Sequence, residues 1–186
     1  ELHGIKVDPL VLKQMSEDFG KKILDLESQI QKEAGTEFNV GSPKQIGEIL
    51  FDQMGLEGGK KTKTGQWSTD VSTLEKLSAQ GHAIVTNILE WRGLSKLKST
   101  YTDALQEQIN PETGRVHTSF SMAGTSTGRL ASSDPNLQNI PIRTEDGRKI
   151  REAFVAEEGC TLLSVDYSQV ELRLAAEVAD VKALKQ

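Results

Sequence analysis

Apolar residues recur every three or four positions through most of the first 109 residues, and this spacing predicts helices. The clearest run begins at Asp8-Pro9, where Asp is a favoured N-cap and Pro a favoured first helical residue. It ends near Gly35, the residue type that most often terminates a helix. The pattern therefore predicts one long amphipathic helix whose inward residues are Leu12, Met15, Phe19, Ile23, Leu26 and Ile30.

Three more helices are predicted before residue 109. The second covers residues 42–55, from a Ser-Pro start signal to a glycine stop. A capping box formed by Ser72 and Glu75 starts the third helix, and the fourth runs from His82 to about Gln108. Between the second and third helices the chain is rich in glycine and lysine. This composition predicts a flexible loop that carries Lys60, Lys61 and Lys63.

The pattern changes at Asn110-Pro111, a turn signal, to the alternation and turn residues of an α+β region. The predicted elements are a strand over residues 115–121, a long polar loop over residues 123–143, a helix over residues 146–154, a buried strand over residues 161–165 and a helix over residues 168–178. The sequence therefore predicts an α+β fold with two parts. They are a helical part, residues 1–109, and the beginning of an α+β part, residues 110–186.

Composition restricts the possible functions only loosely. Charged residues make up 26% of the chain and hydrophobic residues 36%, which is typical of a soluble globular protein. No apolar run is long enough to span a membrane. The net charge of −5 argues against a protein that is basic throughout, but residues 91–151 carry nine Lys and Arg against six Asp and Glu. A local basic surface is sufficient for nucleic-acid contact.

Two further features concern the setting of the chain. Cys160 is the single cysteine, so it cannot form an intramolecular disulfide, and its apolar neighbours predict a buried side chain. A reducing cytoplasm is consistent with this. Because the sequence begins with Glu1 rather than Met and ends inside a helical pattern, we expect it to be part of a longer protein.

A carboxylate follows the predicted strand at residues 161–165. Asp166, held at the end of a strand and open to solvent on one side, is a suitable ligand for Mg²⁺. The alternative is that Asp166 only ends the strand and helps to begin the next helix. Glu171 lies three residues after Ser168, so a capping box is its simplest structural role. A capped Glu171 would also be oriented for a functional contact.

Two polar groups are candidates for contact with nucleic acid. The long loop contains amide and guanidinium donors that could follow a minor groove: Arg129, Asn136, Gln138 and Asn139. The alternative is that these side chains cap their own turns. Five lysines could contact phosphates without reading sequence, although solvated lysines are common on any surface: Lys60, Lys61, Lys63, Lys96 and Lys98.

Several blocks in this order resemble one family. Asp-Tyr-Ser-Gln-Val-Glu-Leu-Arg at 166–173 resembles motif A of the family A, DNA polymerase I-like DNA polymerases. Thr-Gly-Arg-Leu at 127–130 and Asp-Pro-Asn-Leu-Gln-Asn-Ile-Pro at 134–141 are similar to the preceding palm block of that family. Residues 92–101 resemble the end of its thumb, and residues 42–45 with the lysine-rich loop resemble the DNA-facing part of the thumb. The resemblance covers essentially the whole chain.

The resemblance implies a fold and a set of roles. Residues 1–109 would form the helical thumb and the helices at the palm base, and residues 110–186 an incomplete antiparallel β palm with helices, without fingers. Asp166 and the carbonyl of Tyr167 would bind two Mg²⁺ ions, and Glu171 would exclude a ribose 2′-hydroxyl. Arg129 would contact the minor groove at the primer terminus, with template and primer contacts from Asn136, Gln138 and Asn139. Gln169 and Arg173 would support the nucleotide site.

The implied activity is 5′–3′ DNA synthesis in the bacterial cytosol or nucleoid, with primer-template DNA, dNTP and the remainder of the polymerase as partners. The fingers and the second catalytic carboxylate of the family would follow residue 186, so we expect this chain alone to be inactive. A non-catalytic template-primer binding module is the main alternative. Ser168 counts against a Mg²⁺-dependent phosphatase, which usually has a second Asp there, and Glu171 counts against a related RNA polymerase.

Overall fold

The computed structural model describes residues 1–184. The chain divides into two compact units, Glu1–Val155 and a second unit that begins at Ala156. Helices and small antiparallel sheets are both present, so the predicted α+β class is confirmed. The division between thumb and palm at residues 109 and 110 stays a prediction. Within residues 1–184, no helix has the combination of length and apolar character that crossing a membrane requires.

The first helix, α1 (Pro9–Ala34), agrees with its prediction at both ends. The Asp8 carboxylate accepts hydrogen bonds from the backbone N–H groups of Leu10 and Val11. Gly35 adopts a left-handed conformation with φ of 71°, and its N–H donates to the Lys32 carbonyl. The apolar stripe packs into the protein core through Leu12, Phe19, Leu26, Ile30 and Ala34.

The other helices of the first unit form two continuous stretches and two separate helices. Helix α2 (Pro43–Gly47) continues as a π-helical segment, Glu48–Gln53, and α3 (Val71–Ala79) follows after a loop. Helix α4 (Ala83–Leu97) continues through a second π-helical segment, Lys98–Asp103, into α5 (Ala104–Glu107). The last helix of this unit is α6 (Glu145–Glu152). The four predicted helical regions before residue 109 are therefore confirmed.

The start of α3 differs from its prediction. Asp70, rather than Ser72, is the N-cap, and its carboxylate accepts from the Thr73 N–H at 2.7 Å. The hydroxyl of Ser72 donates to the same carboxylate at 2.8 Å. The predicted Ser72–Glu75 capping box is therefore wrong, because Asp70 already satisfies the first turn of the helix.

Five short strands complete the first unit. Strands β1 (Ile5–Lys6), β2 (Ile109–Asn110) and β3 (Arg115–Val116) form an antiparallel sheet in the order β1-β3-β2. Strands β4 (Ser119–Ser121) and β5 (Ala131–Ser133) form a second antiparallel pair. The single strand predicted over residues 115–121 is divided because its first part, β3, pairs with β1 and β2, whereas its last part, β4, pairs with β5.

Two apolar clusters form the core of the first unit. One lies among α2, α3 and α4, with Ile46, Leu50, Leu74 and Ile88 at its centre. The other joins α1 to the second π-helical segment, the three-stranded sheet and α6. Trp91 of α4 packs against both clusters. The helices are thus held together from both faces of α4.

The structure of the second unit contradicts three predictions. Helix α7 (Val170–Val178) is present, and a short 3₁₀ helix, Lys182–Leu184, follows it. However, residues 161–165 are irregular and exposed, since nothing in residues 1–184 pairs with them and an isolated strand cannot satisfy its backbone groups. Cys160 beside them is exposed for the same reason. Gln169 is the N-cap of α7, in a left-handed conformation and without a side-chain capping bond, so the predicted Ser168–Glu171 capping box is wrong as well.

Candidate nucleic-acid interface

A groove of about 550 Å³ lies between α4 with its π-helical continuation and the loop that follows β5. Three residues predicted to contact DNA meet there: Lys96 from the helix, and Asn136 and Asn139 from the loop. The full lining is Gly93, Lys96, Leu97, Thr100, Tyr101, Asn136, Asn139, Pro141 and Thr144. The groove therefore combines one cation with amide and hydroxyl groups on an apolar floor.

Thr100, Tyr101 and Thr144 were not predicted as site residues. Helical spacing could have found Thr100 and Tyr101. Residues 93, 96, 97 and 100 recur at intervals of three and four on one helix face, and Tyr101 follows residue 97 by four. Thr144 gave a weaker signal. It is the N-cap of α6, and its hydroxyl accepts from the Gly147 N–H at 3.1 Å.

The loop side of the groove is fixed at two consecutive carbonyls. The Tyr101 hydroxyl donates to the carbonyl of Asn139, and the Arg151 guanidinium donates to the carbonyl of Ile140 at 3.2 Å. Burial of Tyr101 raises the pKa of its hydroxyl, so the hydroxyl stays a donor. These two bonds connect the loop to the second π-helical segment and to α6, and they set the position of Asn139 in the groove.

Two of the loop residues predicted to contact DNA make hydrogen bonds within the loop. Asn136 accepts from the Gln138 N–H at 3.0 Å. The Gln138 amide accepts from the Ser132 N–H at 3.1 Å and donates to the Leu130 carbonyl at 2.9 Å. Gln138 thus follows the alternative interpretation, in which polar side chains cap their own turns. Its contact with DNA stays a prediction.

Arg129 lies in the same polar loop, four residues after Thr125. The Thr125 hydroxyl donates to the Arg129 carbonyl at 2.8 Å and closes this part of the loop. The Arg129 side chain is exposed, so it is accessible to a nucleic acid. Its assignment to the minor groove at the primer terminus stays a prediction.

Lys98 occupies a different environment from Lys96. Its ammonium lies 2.7 Å from the Asp103 carboxylate and donates to the Ser16 hydroxyl at 2.9 Å. Desolvation alone would raise the pKa of Asp103, but hydrogen bonds from Lys98 and Ser16 and the charge of Lys98 lower it. Lys98 is therefore engaged in holding the second π-helical segment against α1, which makes it a weaker candidate for phosphate contact.

The three lysines between α2 and α3 belong to an ordered hairpin, rather than to the flexible loop that was predicted. The Ser68 N–H donates to the Lys60 carbonyl and the Thr62 N–H to the Gln66 carbonyl, each at 2.7 Å. Lys61 pairs with Trp67 in an antiparallel bridge. All three lysine side chains are exposed.

The predicted catalytic residues lie in the second unit, within residues 166–173. Asp166 and Tyr167 are exposed and precede α7, whereas Glu171 and Arg173 lie on that helix. Across residues 1–184, no three His, Cys, Asp or Glu side chains are close enough together to hold a metal ion. Mg²⁺ in proteins is usually held by one or two carboxylates together with waters and substrate phosphates. The assignment of Asp166 and the Tyr167 carbonyl as metal ligands stays a prediction.

Comparison with known proteins gives consistent matches. Residues 10–186 match the model of DNA polymerase family A. The chain is 55% identical to DNA polymerase I of Rhizobium leguminosarum over 184 residues, which is 99% of this chain and 18% of that protein. It is 48% identical to the thermostable DNA polymerase I of Thermus aquaticus over 180 residues, which is 96% of this chain and 22% of that protein.

A solved structure is also similar. The POL domain of Pol1 from M. smegmatis, in complex with DNA primer-template and dNTP, matches with a TM-score of 0.84 and 41% sequence identity. The match covers 95% of this chain and 31% of that one. The chain thus spans about a fifth of the length of the curated relatives it matches, since the shares are 18% and 22%.

Proposed function

The chain belongs to DNA polymerase family A, and from this membership we propose that it acts in template-directed DNA synthesis as part of a larger polymerase. In the proposed reaction the primer 3′-hydroxyl attacks the α-phosphate of a dNTP, and pyrophosphate leaves. The observation that carries the proposal is the similarity over 95% of the chain to a polymerase domain in complex with primer-template and dNTP. The bacterial cytosol or nucleoid is the expected setting.

In this proposal the groove binds the primer-template duplex. The Lys96 ammonium would neutralise a backbone phosphate, and the amides of Asn136 and Asn139 would donate to sugar, phosphate or minor-groove acceptors. Arg129 would contact the minor groove at the primer terminus. Such contacts fix the position of a duplex without reading its sequence, which is what a polymerase that copies any template requires.

We assign the active-site roles to residues 166–173. Asp166 and the Tyr167 carbonyl would supply two of the ligands of two Mg²⁺ ions, Glu171 would exclude a ribose 2′-hydroxyl, and Gln169 and Arg173 would support the nucleotide site. One carboxylate, Asp166, would not by itself hold two ions tightly, and no group of three candidate metal-binding side chains is found within residues 1–184. For this reason we expect residues 1–186 alone not to extend primers.

Primer extension tests the proposal. It compares residues 1–186 with the parent polypeptide, by which we mean the longest natural product that contains them. We expect extension only by the parent polypeptide, and Asp166→Ala should lower its rate about a thousandfold or more. Glu158→Gln is the matched control, since it changes another exposed carboxylate of the second unit. A parent polypeptide that extends primers equally well without Asp166 would show that this metal-ligand assignment is wrong.

A second candidate function is a non-catalytic module that binds template-primer DNA. The observation in its favour is that the groove is formed within residues 1–155, whereas no group of three candidate metal-binding side chains is found within residues 1–184. Residues 1–186 would then bind duplex DNA with a salt-dependent affinity, and the parent polypeptide would give no primer extension.

A further inference from the structure

The segment Lys60–Ser68, called here the lysine hairpin, carries three exposed lysines on a short hydrogen-bonded stem. At its tip the Gly65 N–H donates to the Thr62 carbonyl at 2.9 Å, and Gly65 has a φ of 79° that favours glycine. The hairpin has only nine residues and no apolar face of its own. Two-stranded hairpins of this size are marginally stable without further packing, so its order depends on an anchor.

That anchor is Trp67. Its indole N–H donates to the Asp52 carboxylate at 2.9 Å, and its ring lies 4.8 Å from the ring of Phe51, at an interplanar angle of 37°. Phe51 is buried, and both partners belong to the first π-helical segment. The indole thus connects the hairpin to the helical core through one polar and one aromatic contact.

Two glycines leave room for the indole. A Cβ on Gly47 would lie 2.6 Å from the Trp67 Cβ, and a Cβ on Gly59 would lie 2.6 Å from the Phe51 ring and 2.9 Å from the Trp67 ring. Any larger residue at either position would displace these rings. The chain therefore packs closely around Trp67 from both sides.

Trp67 also contacts one of the lysines directly. The Lys61 ammonium lies 4.8 Å from the centroid of the indole ring, a cation–π distance. Just beyond the hairpin, the Arg92 guanidinium donates to the carbonyl of Thr69 at 2.5 Å and to its hydroxyl at 3.0 Å. The end of the hairpin near Trp67 is thus held by the first π-helical segment and by α4, and its tip is closed by the Gly65–Thr62 bond.

We propose that Trp67 is a positioning residue, which holds the lysine hairpin in one arrangement so that its lysines meet the phosphodiester backbone of duplex DNA. The inference rests on the proposed function. A loop that must order itself on binding loses affinity, whereas a loop already ordered does not. Trp67 would thus contribute to DNA binding through Lys60, Lys61 and Lys63, without touching the DNA itself.

The test measures binding of a fluorescent primer-template duplex by the parent polypeptide over a series of salt concentrations. Replacing all three hairpin lysines with Gln should lower the slope of log Kobs against log salt concentration by about 0.9 for each phosphate that the variant no longer neutralises. Trp67→Ala should weaken binding about tenfold at each salt concentration with little change in slope, because the hairpin must then order itself on binding before the same lysines reach the phosphates. Combining Trp67→Ala with the triple lysine substitution should weaken binding little further, because both changes act on the same lysine–phosphate pairs.

Two comparisons isolate the role of the indole. Trp67→Phe keeps an aromatic ring near Lys61 but removes the bond to Asp52, so its affinity for the duplex should lie between those of wild type and Trp67→Ala. Lys76→Gln on α3 removes an exposed lysine outside the hairpin and should leave the slope unchanged. Limited trypsin digestion should cut after Lys60, Lys61 or Lys63 faster in Trp67→Ala than in wild type, a readout that does not depend on DNA.

The outcomes distinguish the inference from the proposed function. If the triple lysine variant binds DNA as wild type does, the predicted DNA contacts of the three hairpin lysines are wrong and the inference falls with them, whereas the proposed function is still decided by primer extension. If the triple variant binds more weakly but Trp67→Ala keeps the wild-type affinity, the inference alone is wrong. Additive effects in the combined variant, or unchanged trypsin cleavage in Trp67→Ala, would equally overturn it.

Discussion

At the residue scale, the Tyr101 hydroxyl is the group on which the loop side of the groove most depends. Tyr101→Phe removes the donor to the Asn139 carbonyl and leaves the ring in place. We expect the free energy of unfolding to fall by about 1 kcal/mol, the usual effect of removing one hydrogen bond at a partly buried group. Urea denaturation measures this. Tyr167→Phe is the matched control, because its side chain is 82% exposed and removing its hydroxyl should change nothing.

The Tyr101 hydroxyl should also make the free energy of unfolding fall as the pH becomes alkaline. Burial raises the pKa of Tyr101, so the folded state favours the neutral hydroxyl more than the unfolded state does. Its contribution is fully present below the ordinary tyrosine pKa of about 10 and is lost as the pH rises through the higher folded value. Wild type should therefore lose more stability than Tyr101→Phe between neutral pH and pH ~11, measured by urea denaturation. Parallel curves would contradict this.

The ion pair between Lys98 and Asp103 gives a prediction at acidic pH. The pKa of Asp103 is lowered in the folded state. The Asp103 carboxylate therefore contributes to stability above the ordinary aspartate pKa of about 4, and this contribution is lost as the pH falls through the folded pKa. Asp103→Asn should lower stability by about 0.5–1 kcal/mol at pH ~7, since the pair is partly exposed. The difference should diminish as the pH falls through the lowered folded value of the Asp103 pKa. Asp18→Asn, in a more exposed pair with Lys21, should have a smaller effect.

At the scale of elements, the cap of α3 determines where the lysine hairpin ends. Asp70 accepts hydrogen bonds from Ser68 of the hairpin and from Ser72 and Thr73 of the helix, and these bonds lower its pKa. Asp70→Ala should lower the melting temperature by about 2–4 °C. Ser72→Ala should have a smaller effect, and equal effects would favour the Ser72 cap. The Asp70 contribution to stability should begin to decline as the pH falls below the ordinary aspartate value and should be lost only as the pH approaches the much lower folded value.

The helices could be predicted from the sequence because their signals are local. Asp8, Pro9 and Gly35 each act within one turn of the end of α1, and the apolar stripe between them needs no information from elsewhere. The cap of α3 was missed because Asp70 and Ser72 are both good N-caps, and sequence alone does not choose between candidates two residues apart.

The strands and the site were harder to predict because they depend on distant partners. The strand predicted over residues 115–121 is divided between two sheets, because its two parts pair with strands that lie elsewhere in the sequence. The family motifs identified Asn136 and Asn139, but not that Thr100 and Tyr101 would meet them across the groove. Nor did the lysine-rich composition indicate that Trp67 would order the hairpin.

At the scale of the whole molecule, the proposed roles fall on different units. The groove and the lysine hairpin belong to Glu1–Val155, whereas residues 166–173 belong to the unit that begins at Ala156. The first unit has two apolar clusters, which pack against the helices that carry the groove and the lysine hairpin. The second unit has one buried hydrophobic residue among those described, Ala176. We therefore expect the first unit to bind DNA in residues 1–186, and the second to need further chain to become a rigid site.

The exposed segment at residues 161–165 provides a test of this expectation. Replacing its apolar side chains should have different effects in residues 1–186 and in the parent polypeptide. Leu163 and Val165 are 86% and 83% exposed, and adjacent exposed apolar side chains favour association. Replacing both with Ser should reduce self-association of residues 1–186, measured by light scattering after size-exclusion chromatography. Replacing Leu10 and Leu24, which are exposed but separate on α1, is the matched control and should change association less.

In the parent polypeptide, by contrast, the same double substitution should destabilise the protein. If the segment pairs there as a buried strand, each substitution removes about 1.5–3 kcal/mol of burial energy. The melting temperature of the parent polypeptide should fall, while that of residues 1–186 stays unchanged. An unchanged parent polypeptide would show that residues 161–165 remain exposed in both contexts. No strand would then hold Asp166 in place, and the metal-ligand role of Asp166 would lose its structural basis.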